Sequence, residues 1–310
     1  MVSSIDTIKY NLSLLNKRNE KVTYQMSSGE ALQNGSDNSQ QYNKILTIND
    51  NVNTYNSILE RIQSSSSYNV TSDSTIANMK SSMESIISLL QKAITDTTTD
   101  DTIESIKNEI ETGKDTIFTL SNTKVDGQYL FSGKSTDVEP FVKDTTTGLI
   151  SYVGSNNNKT VNVETNKYVS QGVTGSELLY YTDETTSTQA SIFDDLNEVV
   201  NALKLQDSSG NTITQDQADT ILSDALDKLN SAYDSMNIAH AKLGTRTSSI
   251  DNYESIVQTK IANFTILQEE YASADLTSLA IESQALENTY TALYSTINKV
   301  NNLSLVQYLN

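Results

Sequence analysis

The chain has 310 residues, 36% of them hydrophobic, with no Trp, no Cys, one Pro, one His and a formal net charge of −18. So little apolar residue argues against one large globular core and for helical bundles, which bury only a stripe. The absence of Cys excludes disulfides, thiolate metal sites and a Cys nucleophile, and the acidic balance excludes a nucleic-acid surface, which needs clustered Lys and Arg.

From the N-terminus, Ile5, Ile8, Leu12, Leu15, Val22 and Met26 follow the three-four spacing of a coiled-coil seam, interrupted by the polar Asn19. Ser27-Ser28-Gly29 and the stretch from Asn34 to Asn38 are dense in turn formers and end this first helix. A second periodic segment starts near Gln41 with Ile45, Ile48, Val52, Tyr55, Leu59 and Ile62 on one face. It fades through Ser64 to Ser67 and resumes as Ile76, Met79, Met83, Ile86, Leu90 and Ala93. The pattern predicts one helix of about fifty residues, weakened in the middle, with Met79 and Met83 as core rather than as an adaptable binding groove.

Asp101 and Glu104 have the spacing of a capping box. Ile103, Ile106, Ile110, Ile117 and Leu120 continue the helical period, and Gly113 marks a close helix approach. The carboxylates Asp96, Asp100, Asp101 and Glu104 read as serving the helix start and its macrodipole rather than a metal ion. Between Gly127 and about Glu184 the period turns from helical to two. Short strands are expected at 128–132, 140–142, 148–153 and 159–165, separated by Gly and Asn turns, with 177–181 a helical turn or a further strand.

Helical spacing returns with Phe193, Leu196, Val199, Val200 and Leu203, and Thr214 with Gln217 forms another capping-box pattern. The stripe Leu222, Leu226, Leu229, Tyr233, Met236, His240, Leu243, Ile250, Val257, Ile261 and Phe264 predicts the longest helix, running to Ala274. After Asp275 comes the last seam: Leu279, Leu286, Leu293 and Val300 every seven residues, with Tyr290 and Ile297 at alternate positions. A helix with one apolar stripe cannot stay buried alone, so the two ends are expected to pair with each other.

The fold class expected is mainly α: an elongated multi-helix bundle with coiled-coil paired N- and C-terminal helices and a small inserted β subdomain. Its segments are the N-terminal helix and turn at 1–44, the ascending bundle at 45–126, the β-rich insertion at 127–190, the returning bundle at 191–275 and the C-terminal helix at 276–310. Residues 1–26 carry a net charge of +2 and residues 276–310 a net charge of −1, so the acid lies in the middle. Near-neutral ends can pack in many copies while the acidic body faces outward, solvated.

Little suggests chemistry. His240 is the one histidine and lies on the apolar stripe between Met236 and Leu243, where a packed or register-setting role is favoured over that of a catalytic base. No Walker loop, dinucleotide glycine motif or His-rich metal pattern is present, so no cofactor is expected. Carboxylate pairs such as Asp194-Asp195 diverge on a helix and do not converge on a substrate. No run approaches a membrane span, and the first thirty residues lack the apolar core and cleavage site of a signal peptide. Catalysis is the least supported function.

Several stretches carry a resemblance. Gln25-Met26-Ser27-Ser28-Gly29, followed by Gly35-Ser36-Asp37, is similar to the turn after the first helix of the bacterial flagellin family, although Glu30-Ala31 and Asn38-Ser39 stand where that family has basic residues and a proline. Within the family, the chain most resembles the hook-filament junction proteins, or hook-associated protein 3. Gly127-Gln128-Tyr129-Leu130-Phe131-Ser132-Gly133 with Pro140-Phe141, then Leu243-Gly244-Thr245-Arg246, and the ending Leu303-Ser304-Leu305-Val306-Gln307-Tyr308-Leu309 carry that likeness.

The resemblance implies a structural adaptor of the bacterial flagellum, built into a junction ring between hook and filament by coiled-coil self-assembly. The partners it implies are copies of the chain itself, the other hook-associated junction protein, flagellin and a flagellar export chaperone, with neither nucleic acid nor membrane. It also implies secretion to the hook-filament junction through the flagellum's own export channel without a cleaved signal. A filament-forming flagellin is the alternative, and a secreted coiled-coil adhesin or effector a more distant one.

Overall fold

The computed structural model describes residues 2–95, 99–183 and 186–308, with side chains described for those between 6 and 299. It is mainly α with a small β insertion, as the periodicities predict. In chain order come α1 (Val2–Ser28), α2 (Ser39–Thr95) and α3 (Asp100–Ser121), then β1 (Lys124–Val125), β2 (Gln128–Tyr129), β3 (Phe141–Lys143), β4 (Ile150–Tyr152), β5 (Thr160–Glu164) and β6 (Lys167–Ser170). There follow a short α4 (Gly175–Leu179), β7 (Tyr180–Thr182), β8 (Gln189–Ser191), α5 (Ile192–Leu203), α6 (Gln215–Ala272) and α7 (Leu276–Tyr308). The chain divides into two compact units, Ser57–Gln258 and Met1–Asn56 with Thr259–Asn310. The division falls within α2 and α6.

In the unit Ser57–Gln258, α2, α3, α5 and α6 share one core. Ile76, Met79, Met83, Ile86 and Leu90 from α2 meet Ile106, Ile110 and Ile117 from α3, Phe193 and Leu196 from α5, and Leu222, Leu229, Met236 and Leu243 from α6. Met79 and Met83 are fully buried, the core role expected of them. A Cβ on Gly113 would stand 2.9 Å from the Ile86 side chain, so the missing side chain lets α3 approach α2 closely. His240 Nε2 lies 2.8 Å from Asp73 Oδ1 and joins α6 to α2.

The two capping-box readings fare differently. At α6 the Thr214 N–H donates to Gln217 Oε1 at 2.9 Å, and the Gln217 N–H donates to Thr214 Oγ1 at 3.4 Å. At α3 the box is absent. Thr99 stands at the cap with its hydroxyl on the Thr102 hydroxyl at 3.0 Å rather than on a backbone N–H, and Glu104 takes the Lys107 ammonium at 2.5 Å one turn on. Asp96 lies outside the described residues. Among the described residues no three His, Asp or Glu converge as metal ligands, and no helix is long and apolar enough to cross a membrane.

The β insertion consists of four two-stranded antiparallel hairpins: β1-β2, β3-β4, β5-β6 and β7-β8. The sequence reading anticipated β2 to β5 and missed β1, β6 and β8. The segment 177–181 is both of its alternatives, the end of α4 and the start of β7. In β1-β2, Asp126 (φ 49°) and Gly127 (φ 76°) form a two-residue turn with both φ positive, the kind whose twist suits adjoining strands. Gly133 also has positive φ, but there a Cβ would fall 2.2 Å from the Ser155 carbonyl oxygen and 2.6 Å from that of Asn157.

Those two glycines predict different costs. Gly127→Ala, with open space around it, should lose about 1 to 2 kcal/mol for the left-handed backbone alone. Gly133→Ala should lose about 3 kcal/mol or more, because backbone atoms must also move. Urea unfolding of the two variants checks this, and equal losses would contradict it.

Candidate assembly surface

The unit Met1–Asn56 with Thr259–Asn310 brings the two seams together. α1 ends at Ser28 because Gly29, with φ 74°, takes the left-handed position that closes a helix, and its N–H returns to the Gln25 carbonyl at 3.0 Å. The chain then lies beside the turn between α6 and α7. Glu30 and Ser273 form an antiparallel bridge, the Ala31 N–H donates to Ala272 O at 2.7 Å, and the Ala274 N–H donates to Gly29 O at 2.8 Å. Gln25 Nε2 reinforces the turn by donating to Ala31 O at 2.5 Å, and Ser27 Oγ donates to Tyr24 O at 3.0 Å. Ser28 Oγ accepts from the Glu30 N–H, and Asp37 accepts from the N–H groups of Gln33 and Asn34. Ser36 is exposed and takes no part.

Asp275 starts α7, accepting from the N–H groups of Thr277 and Ser278 and from the Ser278 hydroxyl, bonds that hold its carboxyl below the usual range. α7 then packs along α1. Val22, Leu279 and Leu286 are buried together with Leu15 and Ala274 against them. Ile8, Leu12, Tyr290, Leu293 and Ile297 are half-buried. Polar ties flank the seam: Arg18 Nε to Glu282 Oε1 at 2.5 Å, and Tyr290 OH donating to Asn16 Oδ1 at 2.7 Å. The Arg18–Glu282 pair is solvent-facing and contributes little stability.

One seam position is corrected. Met26 is 44% exposed, because the helix closes into its turn before the stripe reaches α7 there. The side chains of Ile5, Val300, Leu303, Ser304, Leu305 and Tyr308, and the whole of Leu309, lie outside the described residues.

The pair buries little of what it carries. Among the described residues this unit supplies four of 42 buried apolar side chains, Val22, Ile48, Leu279 and Leu286, yet ten of 19 exposed large ones. Tyr10 and Leu14 on α1, and Leu276, Ile281 and Tyr294 on α7, are between 49% and 68% exposed.

The other motif residues lie in the unit Ser57–Gln258 and tie the β insertion to α2 and α6. The carbonyls of Tyr129 and Leu130 accept from Tyr68 OH at 3.2 and 2.5 Å, and that of Phe131 accepts from the Gly175 N–H at 2.7 Å and from Tyr152 OH at 3.1 Å. Leu130 and Phe131 are fully buried. Arg246 grips Glu177 with both guanidinium nitrogens at 3.1 Å and donates to Gly172 O at 2.6 Å. Glu177 also completes the cap of α4 with Thr174. Burial pushes the Glu177 carboxyl up, but bonds from Arg246, Asn158 and the Thr174 N–H, with the Arg246 charge, prevail and hold it below the usual range. Gly244 is exposed with open space where a Cβ would sit, so nothing within the chain requires glycine there. Tyr68, Asn69 and Glu177 were not singled out from sequence. Tyr68-Asn69, just past the serines where the α2 stripe fades, was the available sign.

Comparison with solved structures identifies the architecture. A Vibrio parahaemolyticus protein assigned as flagellar hook-associated superposes with a TM-score of 0.65 at 15% identity, covering 76% of this chain and 100% of that one. The chain shares this fold. Flagellar hook-associated protein 3 of Legionella pneumophila gives 0.63 at 13% identity over 73% and 98% of the two chains. Xanthomonas campestris FlgL gives 0.57 at 17% identity over 68% and 98%. No protein-family model matches the sequence, and no curated protein matches it.

Two outcomes are expected. Leu286→Ala should weaken the helix pair by about 2 kcal/mol, the low end for such a truncation because the cluster around it is small. It should speed amide exchange in α1 and α7 while Ser57–Gln258 keeps its protection, and uniform loss of protection across both units would contradict this. The stability that Glu177 adds is present above the ordinary carboxylate pKa of about 4.3 and is lost as pH falls through its lower folded value. Glu177→Gln should therefore flatten the acid limb of unfolding free energy against pH, and an unchanged acid limb would be the contrary result.

Proposed function

We propose that this chain is a structural adaptor subunit of the bacterial flagellum, joining hook to filament at their junction by self-assembly through α1 and α7. The observation that carries this reading is the contrast between units: a helix pair with few buried and many exposed apolar side chains, on a fold like that of hook-associated proteins. Burying an exposed Leu, Ile or Tyr against a neighbouring copy is worth about 1.5 to 3 kcal/mol each, so assembly supplies the cover that the single chain lacks. In this reading Ile8, Leu12, Leu15 and Val22 with Leu279, Leu286, Tyr290, Leu293 and Ile297 pair α1 with α7 into one assembling surface, and the exposed Tyr10, Leu14, Met26, Leu276, Ile281 and Tyr294 on it meet the neighbouring copy. The partners are further copies, the other hook-associated junction protein and flagellin. The chain leaves the cell through the flagellar export channel, escorted by an export chaperone.

Deletion of the gene tests the reading. The expected result is bare hooks with abundant flagellin in the culture medium, because filaments have no junction on which to start. Bare hooks without leaked flagellin would make the chain the filament subunit instead, and normal filaments would overturn both.

A further inference from the structure

A cavity of about 380 Å³ lies within the unit Ser57–Gln258, where α2 faces the β5-β6 hairpin. Arg61, Ser65 and Tyr68 line it from α2, and Lys159, Gln171 and Asp126 from the β insertion. Two cations there lack a counter-charge although the chain carries 39 acids against 21 bases. Arg61 makes no ion pair or hydrogen bond among the described residues. Lys159 donates to Gln128 Oε1 at 2.5 Å and sits 5.4 Å from the Tyr68 ring centroid, with no carboxylate in ion-pair range. Burial pulls the Lys159 ammonium below its usual pKa, the mark of a charge that lacks a partner. Ser65 is 2% exposed, and its hydroxyl has no hydrogen-bond partner. Gln171 is 4% exposed and presents its side chain among the cavity's lining residues.

We propose that this cavity binds a carboxylate, held between Arg61 and Lys159 with the Ser65 hydroxyl and the Gln171 amide as hydrogen-bond donors. The charge of the walls selects the anion. Arg61 and Lys159 stand against Asp126, which pairs with neither among the described residues, so the cavity carries one net positive charge. A monovalent carboxylate neutralises that charge, whereas a phosphate dianion would leave one negative charge uncompensated beside Asp126. The volume suits a small organic acid, or one acidic side chain of a second copy of the chain. The proposal stands whether or not the chain works at a flagellar junction.

The test uses the full chain. Saturation-transfer NMR would measure binding of sodium butyrate, with butyramide, inorganic phosphate and sodium chloride at matched ionic strength beside it. Sedimentation velocity over a range of protein concentrations would report self-association. Arg61 is exposed and bonds nothing in the fold, so Arg61→Gln should leave the melting temperature unchanged, with Lys159→Gln as a second variant. Saturable butyrate binding, absent for butyramide and weakened about tenfold or more in Arg61→Gln, supports the proposal with a free acid as the ligand. Self-association that Arg61→Gln abolishes, without butyrate binding, supports it with a second copy supplying the carboxylate. Phosphate binding tighter than butyrate, binding unchanged in both variants, or neither binding nor Arg61-dependent association overturns it.

Discussion

The two backbone hydrogen bonds between Gly29–Ala31 and Ala272–Ala274 fix where the ends of the chain meet. α1 runs into this bridge and α7 runs out of it, so the helices lie antiparallel from a common origin. Counting outward in sevens reaches Val22 and Leu279, then Leu15 and Leu286, then Ile8 and Leu293. The seams therefore match only if the bridge holds its register, since a slip of one residue would turn each stripe about 100° away from its partner. That gives the Ser27-Ser28-Gly29 turn a physical role: its left-handed glycine and its hydroxyl bonds set the starting point from which the heptads count.

From that origin the heptads cover one side of each helix and no more. A stripe of this width suffices in a coiled coil because each helix shows only a narrow face to its partner. It leaves Tyr10 and Leu14 on one helix, and Ile281 and Tyr294 on the other, facing water. Scattered exposed apolar residues need no explanation, but here they gather in the unit with the smaller core. The unit Ser57–Gln258 has the opposite balance, with four helices closing on a common core. The larger core and the larger share of exposed apolar side chains thus belong to different stretches of the same sequence.

How much of this was legible follows from what each signal measures. Long apolar periods gave α1, α2, α6 and α7 almost to the residue, because a helical stripe is a direct record of one-sided burial. The β insertion was harder, since strands of two to five residues hold too few periods to register. β1 was missed although Asp126-Gly127 is a strong hairpin signal, because Lys124-Val125 is a single apolar alternation and gives no strand period of its own. The fading of the α2 stripe at Ser64 to Ser67 was legible as weakness, whereas the helix continues there unbroken. There α2 faces the β5-β6 hairpin across a polar cavity while Gln63 and Asn69 bond α6, so polar residues replace the stripe. Asp101 and Glu104 mimicked a cap because spacing alone cannot tell a bond to the backbone from the i,i+3 pair that Glu104 makes with Lys107.

The same argument explains why the motif residues of the β insertion are polar as often as apolar. Two-stranded hairpins leave half their backbone groups without a ladder partner, and such pairs are marginal alone. Here α2 and α6 supply the missing partners. Tyr68 donates to two carbonyls, Asn69 Oδ1 accepts the Gly172 N–H at 2.8 Å, and Arg246 takes the Gly172 carbonyl while it holds Glu177. Asn69 Nδ2 in turn donates to Thr247 on α6, so the buried amide serves a helix on one side and a loop on the other. The exacting positions are therefore on the helices that hold it, Tyr68, Asn69 and Arg246, together with the side chains that the insertion buries in the common core, Leu130, Phe131 and Phe141 among them.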